Sequence, residues 1–254
     1  DNVRITDYGN SFNTLQLYSH YRLKIPNDNT RALKVSGNYL LKVFNEAKEL
    51  VFSRKFMVYE PLTRVQVGVR KAREVKLIQS QQVVNFEVNS PEFIIRNPEE
   101  SVWAVILQNN NLKTGIYNIR PQYHIGTSLV YKYDELTSFW AGNEYLAFDS
   151  KDLRSATVKI QYIEVRDLYH HYLFRDKIRA LEPYTYNPDI NGKFLIRKFQ
   201  ALDDEIEAGY VWTHFALAVP EPLEGGEVHI YGEFNNFQLR SEERRVGKEC
   251  PLLC

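Results

Sequence analysis

The residues best suited to chemistry lie in three short stretches. His170-His171 is the only adjacent pair among six histidines. Neighbouring side chains on a strand point to opposite faces, so two adjacent imidazoles cannot share an ion without a bulge. A strand with one ring inward and one outward is the expectation. Asn187-Pro188-Asp189-Ile190-Asn191-Gly192 has the opening spacing of a calcium loop. The residue that should close such a loop is a bidentate glutamate, and here it is Lys198. Only one carboxylate stands among the earlier ligand positions, so a hairpin turn is the better reading. Asp203, Asp204, Glu205 and Glu207 form an acidic run that would suit a cation or a basic partner. Such runs are more often solvated loops.

No catalytic apparatus can be assembled from the remainder. There is no Gly-x-Ser-x-Gly elbow, no glycine-rich phosphate cradle, no Cys-x-x-Cys and no His-Glu-x-x-His. The two cysteines are Cys250 and Cys254, both at the very end. Among 32 acidic residues no pattern singles out a carboxylate pair for glycoside chemistry. Trp103, Trp140 and Trp212 serve equally well as core or as ligand platforms. No catalytic, cofactor-binding or metal residue is therefore assigned.

The elements that would position these residues read as strands. Tyr 17, Phe 14 and Trp 3 against a single Met favour pleated, half-buried surfaces. Lys plus Arg equals Asp plus Glu at 32 each, which argues against a general nucleic-acid binder. No stretch approaches the roughly 18 apolar residues of a membrane helix. Period-two alternation predicts strands over residues 15–25, 39–44 and 50–59, with Asn45-Glu46-Ala47-Lys48 as a hairpin turn. In the first, Leu15, Leu17, Tyr21, Leu23 and Ile25 are expected on one face, and His20 and Arg22 on the other. Val65, Val67 and Val69 restart the alternation after Glu60-Pro61. Further strands are expected at 83–88, 102–108, 129–133, 145–148, 158–163 and 169–174, with a turn at Asn109-Asn110-Asn111. Asn191-Gly192 is the strongest hairpin signal, between strands at 184–190 and 193–199. Strands at 210–219 and 228–234 follow, joined through Pro220 to Gly226. Only Ala201 to Ala208, ahead of Gly209, hints at helix.

The expected fold is all-β, as tandem antiparallel, immunoglobulin-like β-sandwich domains truncated at both ends. Well over a third of residues should be strand and under a tenth helix. Residues 1–60 would be the C-terminal part of a first domain, 61–182 a second domain, and 183–240 the start of a third. Residues 241–254 lack alternation and are heavily charged, so a non-native, unstructured tail is expected there. The chain opens on Asp1 and its only Met is Met57, so a signal peptide and early strands are expected to be missing. The first three strands should then show an incompletely covered apolar face.

Several segments in order carry a resemblance. They include Asp7-Tyr8-Gly9-Asn10-Ser11-Phe12-Asn13-Thr14, Tyr18-Ser19-His20-Tyr21-Arg22-Leu23, Phe56-Met57-Val58-Tyr59-Glu60, Gly142-Asn143-Glu144-Tyr145 and Val228-His229-Ile230-Tyr231-Gly232-Glu233-Phe234-Asn235-Asn236-Phe237. Together they resemble the plug protein of the type IX secretion system of Bacteroidetes. The resemblance implies a non-catalytic periplasmic protein peripheral to the outer membrane, without cofactor or metal. Its partner would be the outer-membrane β-barrel translocon, whose periplasmic end it would close. No motif assigns the contact residues, and none is carried over. Gly232 to Phe237 also resembles a strand-turn of carbohydrate-binding sandwiches, which makes a glycan-binding envelope module the rival reading. Exposed coplanar aromatics would favour the rival, a broad patch the plug, and a deep polar pocket an enzyme.

Overall fold

The computed structural model describes residues 4–179, 182–219, 225, 227–239 and 252–253. The fold is all-β, with 35% strand and 5% helix among the described residues. Strand content only just exceeds a third because residues 143–159 and 182–203 carry no ladder. Contacts gather the chain into two units, residues 1–3 with 24–142, and residues 4–23 with 143–254.

The chain begins in the second of these units with β1 (Asp7–Asn10) and β2 (Ser19–Arg22), an antiparallel pair. The first unit opens with β3 (Gly37–Phe44) and β4 (Leu50–Val58), closed by a turn in which Lys48 takes a left-handed φ of 62°. Tyr39, Leu41 and Val43 share a half-buried face as the alternation requires, and Tyr39 stacks on Phe56. Much of the hairpin's apolar surface is bare, however. Leu40, Phe44, Leu50, Val51, Phe52 and Met57 are all exposed.

Next come β5 (Arg64–Lys71) and β6 (Gln81–Asn89), then a single helical turn, α1 (Pro98–Ser101). Three short strands follow, β7 (Ala104–Ile106), β8 (Ile116–Ile119) and β9 (Tyr123–Ile125), and then β10 (Ser128–Tyr131) and β11 (Ser138–Trp140). One edge of β6 is paired along its length with β5, and the other is shared between β10 and β11, with β9 beyond β10. The β7–β8 hairpin, turned at Asn109 and Asn110 with positive φ, lies over β6 and β10. Phe86, Ile119, Leu129 and Tyr131 form the core between these layers, and Phe86 stacks on Tyr131 with centroids 4.2 Å apart.

The second unit is built on β12 (Ile160–Val165), β13 (Tyr169–Leu173), β15 (Tyr210–His214) and β17 (Leu252–Leu253). The short strands β14 (Asp176–Lys177) and β16 (Leu217–Ala218) pair beside α2 (Asp204–Glu207). The pairings β13–β15 and β14–β16 are parallel, a departure from an all-antiparallel sandwich. Residues 174–209 separate β13 from β15, which is ample for the crossover a parallel pair needs.

Three expectations need correcting. Of residues 15–25 only Ser19–Arg22 is strand, and its faces are reversed. Tyr21 is exposed, while His20 and Arg22 are half-buried against acidic groups. Residues 145–148 and 228–234 are not strands, the latter ending in a 3-10 turn at Glu233–Asn235. Asn191-Gly192 is the left-handed turn its sequence requires, with φ of 57° and 71°, but no ladder flanks it. Its neighbours bond elsewhere. Gly192 O accepts from Glu233 N, and the Asp189 carboxylate accepts from Tyr145 N and Asn191 N. Residues 220–224, 226, 240–251 and 254 lie outside the described residues, and with them most of the Pro220 to Gly226 connection and of the tail. Within the tail, Leu252–Leu253 pairs with Tyr210 and Val211.

Candidate functional site

The first unit carries an apolar trough of about 680 Å³. It follows from register. Val65 faces Val88, Val67 faces Phe86 and Val69 faces Val84, so alternate residues of β5 and β6 line one surface. The β7–β8 hairpin contributes Ala104, Val105 and Ile106 to the opposite wall, with Trp103 just before it. Cover is closest at Phe86 and Tyr131, thins over Val84 and Val88 of β6, and fails over β5. Phe86 is 7% exposed, whereas Val65, Val67 and Val69 are 55–63% exposed. No charged side chain lines the trough. The guanidinium of Arg120 stands over the Trp103 ring, 3.2 Å from its centroid, and occupies one ring face. Val65, Val67 and Val69 were legible as one face of a strand; the lack of cover was not.

The acidic run proves to be a fastening rather than a solvated loop. Asp203 caps α2 by accepting from Glu205 N at 3.0 Å. Arg22 reaches Glu205 through Nε, Asp203 through Nη2 at 3.5 Å and Asp7 at 3.7 Å, while His20 Nε2 lies 3.6 Å from Glu205. Glu207 pairs with Lys198 at 3.3 Å and accepts from the backbone N–H of Asp203 and Leu202. Those backbone donors lead the causes that hold its carboxyl below the usual range. Asp204 accepts from Lys198 N. Phe12 N donates to Ile206 O, and the Tyr18 hydroxyl donates to Ala208 O at 2.7 Å. Burial chiefly pushes the Tyr18 hydroxyl up to about 12. Each carboxylate of the run thus holds a partner inside the unit, and residues 7–22 are tied down by two of these acids, Asp203 and Glu205, and by the backbone carbonyls of Ile206 and Ala208.

His170 and His171 are both buried, at 8% and 0% exposure, because both faces of the sheet are covered. The expectation of one ring outward fails for that reason. His171 Nε2 lies 3.1 Å from Leu153 O, and burial lowers its pKa. His170 Nδ1 lies 3.0 Å from His214 Nε2, with centroids 5.2 Å apart and planes within 17°. Near-parallel rings meeting nitrogen to nitrogen at that spacing sit side by side, as in an N–H···N hydrogen bond. His170 Nε2 lies 3.4 Å from Asp167. His214 is lowered by desolvation first and then by His170 and Arg166. No signal in the sequence joins His170 to a residue 44 positions away. Among the described residues no group of three or more metal-ligating side chains converges.

Some aromatic rings are packed on one another, while Tyr59, Trp140, Tyr184 and Tyr186 are 66–80% exposed. Tyr162 stacks on Tyr172 at 4.3 Å, and Tyr172 on His214 at 4.1 Å. Phe237 meets Tyr231 and Tyr145 edge-on at 5.3 and 6.3 Å, and all three are half-buried. Trp212 lies beside His170, and Trp140 is 67% exposed with no aromatic neighbour among the described residues. The calcium-like opening is a turn whose one carboxylate, Asp189, is taken by backbone N–H groups.

Two comparisons bear on this architecture. Residues 1–60 match the family model of the type 9 secretion system plug protein, 1st domain, so the resemblance read from the sequence is met independently over that stretch. The chain is also similar to the crystal structure of a hypothetical protein from Parabacteroides merdae ATCC 43184, with 32% identity and a TM-score of 0.86. That match covers 93% of this chain and 60% of the other, so the chain spans well under two thirds of its relative's length. No curated protein matches the chain. No helix among the described residues is long and apolar enough to cross a membrane.

Proposed function

We propose that the chain is part of a non-catalytic periplasmic plug that closes the periplasmic end of the outer-membrane translocon of the type IX secretion system. The observation that carries this reading is the match of residues 1–60 to the plug protein's first domain. Three physical features support it. The chain is built of β units, in keeping with the all-β fold the reading calls for. Its first unit carries an apolar trough without charged walls, suited to a protein surface rather than to bond chemistry. Zero net charge leaves recognition to shape and local polar contacts rather than long-range steering. A plug must also leave when substrate arrives, which calls for an interface of roughly standard size, about 1,600 Å² in total.

The glycan reading draws less support. The turn that carries the carbohydrate-module resemblance holds its Phe237 edge-on against Tyr231 and Tyr145 rather than presenting a free ring face. The test is affinity purification of the protein from its own envelope in the absence of translocating substrate. The translocon barrel should co-elute, and a deletion strain should become permeable to small solutes. Absence of the barrel together with an intact permeability barrier would remove the plug reading.

A further inference from the structure

We infer that the open edge of β5 accepts an extended protein segment as an added antiparallel strand, with apolar residues at alternate positions and two carboxylates six residues apart on the other face. β5 is bonded to β6 along one side only, and all eight of its residues are exposed. Among the described residues no backbone bond is made by its outer side. An unpaired edge of that length offers alternating N–H and C=O groups that an extended segment can satisfy.

The side chains specify what kind of segment. On the trough face Val65, Val67 and Val69 stand in a row, half or more exposed, so the added strand must bring apolar side chains at every second position. The other face reads Arg64, Gln66, Gly68, Arg70. Arg64 and Arg70 are exposed and form no ion pair among the described residues, although Glu87 and Asp134 nearby in the unit are paired with Lys132 and Arg73. Directly opposed cross-strand charges are complementary only if the incoming strand carries acids at matching positions. Between them Gly68 has open space above it, its nearest neighbour to an added Cβ being Asn85 O at 3.9 Å, so a large ring opposite it meets no obstacle. The complementary heptapeptide, written from the Arg70 end, is Glu-Val-Tyr-Val-Thr-Val-Glu.

The chain itself holds one segment of similar spacing, from Glu227 to Glu233. It fits poorly as the occupant. Gly232 falls where an apolar side chain is needed, and the Asn235 side chain already binds Ile230 O and Gly232 N. The occupant is assigned to another protein on the complementarity of Arg64 and Arg70 to a pair of acids, and the assignment stands whether or not that protein is a translocon.

The experiment uses the whole chain and the end-blocked heptapeptide above, at low salt, followed by calorimetry and by the fluorescence of Trp103 in the trough. Saturable one-to-one binding is expected. Val67→Lys, at a position 63% exposed and so without consequence for folding, should abolish it. The double variant Arg64→Glu, Arg70→Glu should bind the peptide at least tenfold more weakly and recover with a peptide carrying Lys at both ends. Circular dichroism of both variants should match the parent. No binding at millimolar peptide, equal binding of a scrambled peptide, or loss without recovery by the charge-swapped pair would each overturn the inference. So would a chain that dimerises at working concentration and becomes monomeric on Val67→Lys, since the occupant would then be a second copy.

Discussion

The sheet β12-β13-β15 and the strands β3 to β5 are written in the same period-two alternation, yet they end in opposite situations. In the first, Ile160 is 2%, His171 0% and Val211 3% exposed, and both adjacent histidines of β13 are buried. In the second, Val65, Val67 and Val69 stay more than half exposed, as do Leu40, Leu50 and Val51. Alternation prescribes which side chains share a face. It does not supply the layer that covers the face, and that layer comes from elsewhere in the chain or from another molecule. An exposed, regular, apolar edge strand is a liability in a protein that stays alone and a resource in one that binds.

Truncation to alanine should separate the two regions most sharply. Phe86→Ala, in the covered part of the first unit, should cost about 3–5 kcal/mol and Ile160→Ala about 2–5 kcal/mol. The same change at Val65, Val67 or Val69 should cost within about 0.5 kcal/mol each. Urea denaturation monitored by tryptophan fluorescence measures both. A cost of about 2 kcal/mol at Val67 would mean that β5 is already covered, and the contrast would collapse.

The fastening of residues 7–22 should come next in size. Arg22→Ala removes one cation shared by Glu205, Asp203 and Asp7. Because these groups are solvated and screened, the loss is expected to be local rather than global. Hydrogen exchange should show it as faster opening of β1 and β2, with β6 and β10 unaffected. Uniform acceleration in both units would show that the ion pairs are not confined to this fastening.

Acid should bear on the second unit through its histidines. His171 and His214 have pKa values lowered from 6.5 in the fold, the first by burial and the second by desolvation, then His170 and Arg166. The unfolded chain then binds more protons than the folded one below about pH 6.5, so stability is fully present above that pH and falls as pH drops through the lowered folded values. The groups facing the His170–His214 pair are Glu164, Arg166, Asp167 and Tyr172. The denaturation midpoint reported by Trp212 should fall on going from about pH 7.5 to 5, and His171→Gln should flatten that slope. A slope unchanged by the variant would show that His171 does not titrate with unfolding.

The smallest effect is expected at Tyr131. Its ring is fully buried, but its hydroxyl has no hydrogen-bond partner among the described residues, and burial raises its pKa to about 12. Removing an unsatisfied buried polar group costs little or helps, so Tyr131→Phe should change stability by no more than about 1 kcal/mol, in the stabilising direction. A loss above that value would reveal a partner for the hydroxyl.

Much of this was legible from residue types alone. The aromatic and β-branched content, the alternation from Tyr39 to Val43 and from Val65 to Val69, and the turns at Asn45 to Lys48, Asn109-Asn110 and Asn191-Gly192 all depend on neighbours a few positions away. Local conformational preference decides them, and the sequence states it directly. What lay beyond reach depends on residues far apart along the chain. Nothing near His20 or Arg22 announces that Asp203 and Glu205 will meet them, turning an expected outward face inward. Nothing near His170 announces His214, and the valines of β5 read the same whether a layer covers them or not. Those outcomes belong to the tertiary structure, because long-range pairing and burial are set by which distant segments find each other and not by the pattern of any one of them.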